Sequence, residues 1–137
     1  MVITVDKANS VPIYLQIRAQ IVAAIAQQQL FPGESLPSVR ALARDLGVNM
    51  HTVNKAYAVL QDEGYVVMSG RNGTLIADPS MRRQTAQSEE ANARLYDALA
   101  HLALEHYAQG GTSESFLALA RKAAQSEIGP EKGASHA

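Results

Sequence analysis

The hydrophobic positions of this chain change period along its length, and the changes mark its elements. From about Val11 to Gln29 the apolar residues Tyr14, Ile17, Ile21, Ala24 and Ile25 recur at three- and four-residue steps, one buried helical stripe. Ser10 is placed to cap this first helix, Pro12 suits its first turn, and Leu30-Phe31-Pro32-Gly33 ends it as a turn. A second helix is expected from about Ser38 to Leu46, with Val39, Leu42, Ala43 and Leu46 inward and Arg40 and Arg44 together on the outward face. Gly47 fits the left-handed position that ends a helix, and Asn49 is a natural N-cap for a third helix from about Met50 to Glu63. There Val53, Ala56, Tyr57 and Leu60 share one face, and His51, Asn54, Lys55 and Ala58 share the opposite one. After Gly64 the pattern turns β-rich. Tyr65–Met68 and Thr74–Ala77 read as two strands joined across Gly70-Arg71-Asn72-Gly73 in a tight hairpin.

Beyond Asp78-Pro79-Ser80 the character changes to Ala, Gln, Glu and Leu, all helix formers, so a domain boundary is placed there. One long helix is expected from about Gln84 to Ala108, with Leu95, Ala98, Leu99, Leu102 and His106 on a face. Gly110-Gly111 ends it, and Thr112 or Ser113 caps a shorter helix to about Ser126 with Phe116, Leu119, Ala120 and Ala123 on its stripe. The expected organisation is a domain over 1–79, a helical region over 80–128 and a flexible tail over 129–137.

Two short helices across a tight turn, followed by a hairpin, is the element order of a winged helix-turn-helix, which lays its second short helix in the DNA major groove. The fold class is therefore mostly α with a small β-hairpin, a winged helix-turn-helix followed by a two-helix region. Such a module needs short polar side chains at the start of the recognition helix, here Asn49, His51, Thr52 and Asn54. It needs phosphate clamps on either side, for which Ser38 and Arg40 at the start of the second helix and Lys55 on the third are placed. The hairpin tip Arg71-Asn72-Gly73 can reach the minor groove or the backbone.

Composition adjusts this picture. With 137 residues, 47% of them apolar, the chain can build a core. The net charge of −1 gives no general sign of a nucleic-acid partner, and residues 1–79 balance Lys7, Arg18, Arg40, Arg44, Lys55 and Arg71 against Asp6, Glu34, Asp45, Asp62, Glu63 and Asp78. Non-specific affinity for DNA should accordingly be weak, and tight binding should depend on dimerisation. The absence of cysteine excludes disulfides, thiolate zinc sites and a cysteine nucleophile. No leader pattern or membrane span is visible, so a cytoplasmic chain is expected. His101 and Glu105 lie one turn apart but supply only two metal ligands, so they are read as a surface pair and no metal or cofactor is expected. No catalytic constellation or phosphate-binding glycine loop is present, and no enzyme is expected.

Specific motifs sharpen the reading. Pro12-Ile13-Tyr14-Leu15-Gln16-Ile17, Pro32-Gly33-Glu34-Ser35-Leu36-Pro37-Ser38-Val39-Arg40, Leu42-Ala43, Leu46-Gly47-Val48-Asn49, Thr52-Val53, Lys55-Ala56-Tyr57, Leu60, Glu63-Gly64 and Gly73-Thr74 together resemble the GntR family of bacterial transcription regulators. Asn49 followed by Thr52-Val53 and Lys55-Ala56-Tyr57 is similar to the YtrA subfamily, as is a tail too short for the large effector-binding or aminotransferase-like domains of other subfamilies. The resemblance implies a homodimer on a pseudo-palindromic double-stranded operator, contacts from Arg40, the start of the third helix and the wing, and dimerisation through the tail helices. Leu95, Tyr96, Leu99, Leu102, His106, Phe116 and Leu119 are the residues expected at that dimer interface, with Tyr107 also assigned to packing. It further implies repression of a transporter operon and of the regulator's own gene. Met50-His51 stands where YtrA-like proteins often have Pro-Asn, and the wing tip is longer than the usual Gly-x-Gly, so the operator sequence does not carry over.

Two other readings are kept. A winged helix used as a protein–protein adaptor should expose apolar residues on its third helix, where only Met50 and Ala58 qualify. The tail helices can alternatively sense an unidentified small-molecule effector or a metal.

Overall fold

The computed structural model describes residues 2–82 and 86–128. They fall into two compact units, one ending at Ser88 and the other beginning at Glu89. In the first, α1 (Ile13–Ala26), α2 (Val39–Leu46) and α3 (Met50–Asp62) precede an antiparallel pair, β1 (Val66–Met68) and β2 (Thr74–Ile76), and a single turn, α4 (Pro79–Arg82). The second holds α5 (Ala86–Ala108), apart from its first residues, and α6 (Ser113–Ile128).

The stripes read from the sequence build one core. Ile17, Ile21 and Ala24 from α1, Leu42 and Ala43 from α2, and Val53, Ala56, Tyr57 and Leu60 from α3 are buried together with Val66 and Ile76 from the strands. The alanines let the helices approach closely, and α3 packs on both α1 and α2. Arg18 of α1 forks onto Glu63 at the end of α3 with nitrogen–oxygen distances of 2.6 and 2.9 Å. The hydrogen bond to Glu63 raises the Arg18 pKa above its ordinary value, against the opposing effect of burial.

Helix α1 departs from the expected limits at both ends. Ser10 does not cap it. The N-cap is Pro12, which makes no side-chain cap, and its carbonyl accepts from Leu15 and Gln16 N–H at 3.0 and 3.1 Å. At the other end the helix stops at Ala26 because Gln28 adopts a left-handed φ of +61°. That turn brings Leu30 back beneath the helix, its N–H on the Ala24 carbonyl and its side chain 7% exposed. A core position thus outweighs the cost of placing a residue with a Cβ in the left-handed region.

The next two boundaries follow the expected chemistry. Ser38 Oγ accepts from Ala41 N–H at 3.1 Å to cap α2, and Asn49 Oδ1 accepts from His51 N–H at 2.8 Å to cap α3. Gly47 joins them with φ +68°, the left-handed position an L side chain disfavours.

The hairpin is shorter than expected and its tip is not a tight turn. Register pairs Val66 with Ile76, Val67 with Leu75 and Met68 with Thr74, and a turn of 3₁₀ helix over Gly70–Asn72 spans the end. Gly73, at φ +72° and ψ −139°, takes a conformation essentially reserved for glycine as the chain re-enters β2. Residues 33–36, of which only Gly33 is in the expected turn and the rest are assigned to no element, run along β2. Gly33 and Leu36 donate to Ile76 and Thr74 carbonyls at 2.8 Å, and Ile76 N–H donates back to Glu34 at 2.9 Å.

Tyr57 fastens this segment to the helices. Its hydroxyl donates to the Pro37 carbonyl at 2.7 Å, and burial pushes the phenol from 10.0 up to about 12. The folded state therefore holds this proton more tightly than the unfolded state. The associated stability is fully present below pH 10 and is lost as pH rises towards about 12. Denaturation of wild type and Tyr57→Phe across that range should show the wild type losing stability relative to the variant. Parallel pH curves would contradict this origin.

In the second unit α5 ends at Ala108, and Gly111 N–H returns to the His106 carbonyl at 2.9 Å. Thr112 is the cap of α6. Its Oγ1 accepts from Ser115 N–H at 3.1 Å while Ser115 Oγ accepts from Thr112 N–H at 2.9 Å, a reciprocal box with serine in place of glutamate. Helix α6 runs to Ile128, two residues past the expected end. The expected start at Gln84 and the tail at 129–137 lie outside the described residues. No described residue of α5 after Ser88, or of α6, is buried. No helix among the described residues is long and apolar enough to cross a membrane.

Candidate nucleic-acid interface

Helix α3 separates its residues cleanly. Val53, Ala56, Tyr57 and Leu60 are sealed in the core, which turns His51, Asn54, Lys55 and Ala58 to solvent and leaves Thr52 half-buried. Met50, at 45% exposure, is the large apolar residue on that surface. Four of the residues expected to meet base edges or phosphates thus share the first turns of one helix. Asn49 stands apart from them. Its side-chain oxygen is committed to the cap, which leaves only its amide N–H groups for an external acceptor.

Ser38 is likewise a cap first, with its hydroxyl oxygen accepting from Ala41 and only the hydroxyl proton left to donate outward. Arg40, in the first turn of α2, is exposed and has no carboxylate within ion-pair distance among the described residues. Arg44 approaches Asp45 only at 3.9 Å, with both side chains largely in solvent. Lys55 is not free to sweep. Its Nζ lies 4.2 Å from the centroid of the Tyr14 ring on α1. Arg71 and Asn72 are exposed on the 3₁₀ turn at the wing tip, beside half-buried Gly73.

Backbone bonds connect these places. The Pro37 carbonyl is held by Tyr57 of α3, and the adjacent Leu36 N–H is held by Thr74 of β2. The start of α2, with Ser38 and Arg40, is therefore anchored to the recognition helix and to the base of the wing at once. Asn49, His51, Thr52, Asn54 and Lys55 occupy one element, and the wing residues come from the strand pair fixed to the same anchor.

The model for bacterial regulatory proteins of the gntR family matches residues 13–76. A solved structure of YtrA from Sulfolobus acidocaldarius, described as a GntR-family transcription factor, is 40% identical with a TM-score of 0.57, and the likeness covers 73% of this chain and 99% of that one. The chain belongs to the GntR family. It is a YtrA-like member, being also 40% identical over 76 residues to the HTH-type transcriptional repressor YtrA of Bacillus subtilis. That stretch is 56% of this chain and 58% of the repressor's own length. The structure of AraR(DBD) in complex with operator ORX1 is 26% identical with a TM-score of 0.50, covering 54% of this chain and 94% of that one.

This GntR domain contains a device that periodicity did not reveal. Residues 3–6 run alongside α1 and are held by two glutamines four residues apart. Gln20 exchanges hydrogen bonds with the Thr4 backbone at 3.0 and 2.5 Å, and Gln16 does so with Asp6 at 2.9 and 3.0 Å. Each side-chain amide replaces one residue of a partner strand, donating and accepting as a peptide unit does. Ile3 and Val5 pack against the core beneath. Lys7 then reaches across, its Nζ donating to the Gly47 carbonyl at 2.9 Å, which ties the strap to the turn between α2 and α3. The available signal was the spacing of Gln16 and Gln20 on the flank of α1 with alternating Ile3 and Val5 upstream.

In the second unit Leu99, Leu102, His106, Phe116 and Leu119 line an open groove of about 470 Å³ together with Glu105, Gln109, Ala120 and Ala123. His106 Nε2 lies 2.6 Å from Ser115 Oγ, and its ring centroid is 6.0 Å from that of Phe116. Leu95 and Tyr96 do not line the groove and are 58% and 73% exposed.

Proposed function

We propose that this protein is a sequence-specific DNA-binding transcription regulator that acts as a homodimeric repressor. The observation that carries the reading is the division of α3. A buried face fixes the helix, and the opposite face presents His51, Asn54 and Lys55 with no carboxylate among them, while Arg40 of α2 is exposed and has no ion pair among the described residues. The operator complex of AraR(DBD) and the repressor YtrA support extending that face to operator DNA and to repression. The same face argues against the adaptor reading, because Met50 is its one large apolar residue.

Occlusion of a promoter by two recognition helices held at fixed spacing is the mechanism, and the tail helices supply the spacing. An amphipathic helix pair with no buried residue among those described and an exposed leucine stripe has little core of its own, and pairing with a second copy would remove that stripe from water. Leu102→Glu should convert the dimer to a monomer in sedimentation experiments. It should lower operator affinity by about a hundredfold or more through lost avidity, while the thermal transition of the first unit stays in place. A dimeric variant would remove the α5–α6 groove from the interface. An effector, if one acts, shifts the angle or distance between the DNA-binding units and must bind the two states differently.

The targets are the regulator's own gene and an adjacent transporter operon. Selection of fragments from a genomic pool by the purified protein should enrich the DNA upstream of its own gene, with two inverted half-sites about one helical turn apart. Enrichment without two-fold symmetry would exclude the dimeric mode, and no enrichment at all would count against the regulator reading.

A further inference from the structure

Lys55 carries a flexible four-carbon stem, and fixing such a side chain on a phosphate costs conformational entropy unless something has already ordered it. On its own helix nothing does. The residues three and four positions away are Thr52, Ala58, His51 and Val59, with no carboxylate among them. The group that meets its ammonium comes from another helix, the Tyr14 ring at 4.2 Å from Nζ to centroid. Around the pair lies an open notch of about 660 Å³, lined by Pro12, Ile13, Tyr14, His51, Thr52 and Lys55. The ring presents its face to the ammonium, leaving the other N–H directions available to an external acceptor.

We propose that Tyr14 is a positioning residue for DNA binding: its ring holds the Lys55 ammonium at the notch between the starts of α1 and α3, ordered in advance for a backbone phosphate. The inference rests on the DNA-binding reading above. It assigns to a residue of the core-facing stripe a role in affinity that its place in that stripe does not suggest. The ring supplies the effect, so the hydroxyl is dispensable.

The test has one arm without DNA and one with it. In carbon–proton NMR of the free protein, the Lys55 ε-methylene should be shifted upfield by the ring current in wild type and Tyr14→Phe, and the shift should vanish in Tyr14→Leu. In anisotropy titrations over a salt series, Tyr14→Phe should bind operator as wild type does. Tyr14→Leu should bind the dimer's operator about five- to thirtyfold more weakly, the two- to fivefold of one exposed cation–π contact taken over two copies. Its salt slope should be unchanged, because the lysine still reaches the phosphate. Lys55→Met should lower the slope by about one per copy, and adding Tyr14→Leu to it should cost nothing further.

The inference is overturned if Tyr14→Phe loses as much affinity as Tyr14→Leu, which would make the hydroxyl the contact, or if the losses from Tyr14→Leu and Lys55→Met simply add. Absence of the upfield shift in a wild type that binds DNA selectively would overturn it alone. A wild type that shows the shift but no selectivity for any DNA would overturn the regulator reading and, with it, the assigned role of the pair.

Discussion

Replacing Arg40 with alanine should cost the dimer about a hundredfold in operator affinity while leaving its melting temperature unchanged. Arg40 is exposed, unpaired among the described residues and in the first turn of α2, so no packing is lost with it. A charge-assisted hydrogen bond is worth roughly 1.5 kcal/mol or more. Two copies act on one operator, giving about 3 kcal/mol, and each 1.4 kcal/mol is about tenfold. If the contact is to phosphate, the loss should fall on operator and scrambled DNA alike, and the salt slope should drop by about two for the dimer. Affinity within about twofold of wild type in a folded Arg40→Ala protein would remove this residue from the interface.

The largest effect on stability is expected at Leu60. It is 0% exposed on α3, the helix that packs on α1, on α2 and against β1. Leu60→Ala should destabilise the first unit by about 3 to 5 kcal/mol, the sum of lost transfer energy and the cavity left behind. A domain of this size has total stability on the order of 5 to 10 kcal/mol. The transition followed by circular dichroism should therefore fall by roughly 12 °C or more. Operator binding should fail on warming well before it fails in wild type. A shift of only a few degrees would mean that the surrounding core collapses onto the site.

Both residues were legible in the sequence. Leu60 and Arg40 were placed on opposite sides by helical period alone, because an amphipathic helix with clear caps at Ser38 and Asn49 leaves little freedom of phase. The glycine after α2 was equally plain. What failed were boundaries set by tertiary contact. Helix α1 was drawn too long since a left-handed glutamine carries no sequence signature, and only burial of Leu30 explains why Gln28 accepts it. Pro32-Gly33 marks a turn and the next expected element starts at Ser38, so nothing in the pattern shows that the backbone of residues 33–36 pairs with β2.

The candidate site shows the same division. Its outward polar residues could be named from spacing. Their supports could not, since the bonds of Gln16 and Gln20 to the strap, of Lys7 to Gly47 and of Tyr57 to Pro37 join positions distant in sequence. Tyr14 was assigned to the apolar stripe for a sound reason, and it is half-buried there, but the stripe does not disclose what rests on the exposed face of its ring. Asn49 and Ser38 are the converse. Both were proposed as contacts, and each has its side-chain oxygen taken up by a helix cap.

The measurement that tests the central claim most directly is the ratio of affinities for the DNA upstream of the protein's own gene and for a scrambled duplex of equal length, by fluorescence anisotropy at fixed near-physiological salt. The account predicts a ratio of about a thousand or more, falling steeply for Leu102→Glu. A ratio near one, with the genomic pool likewise unenriched, would contradict it.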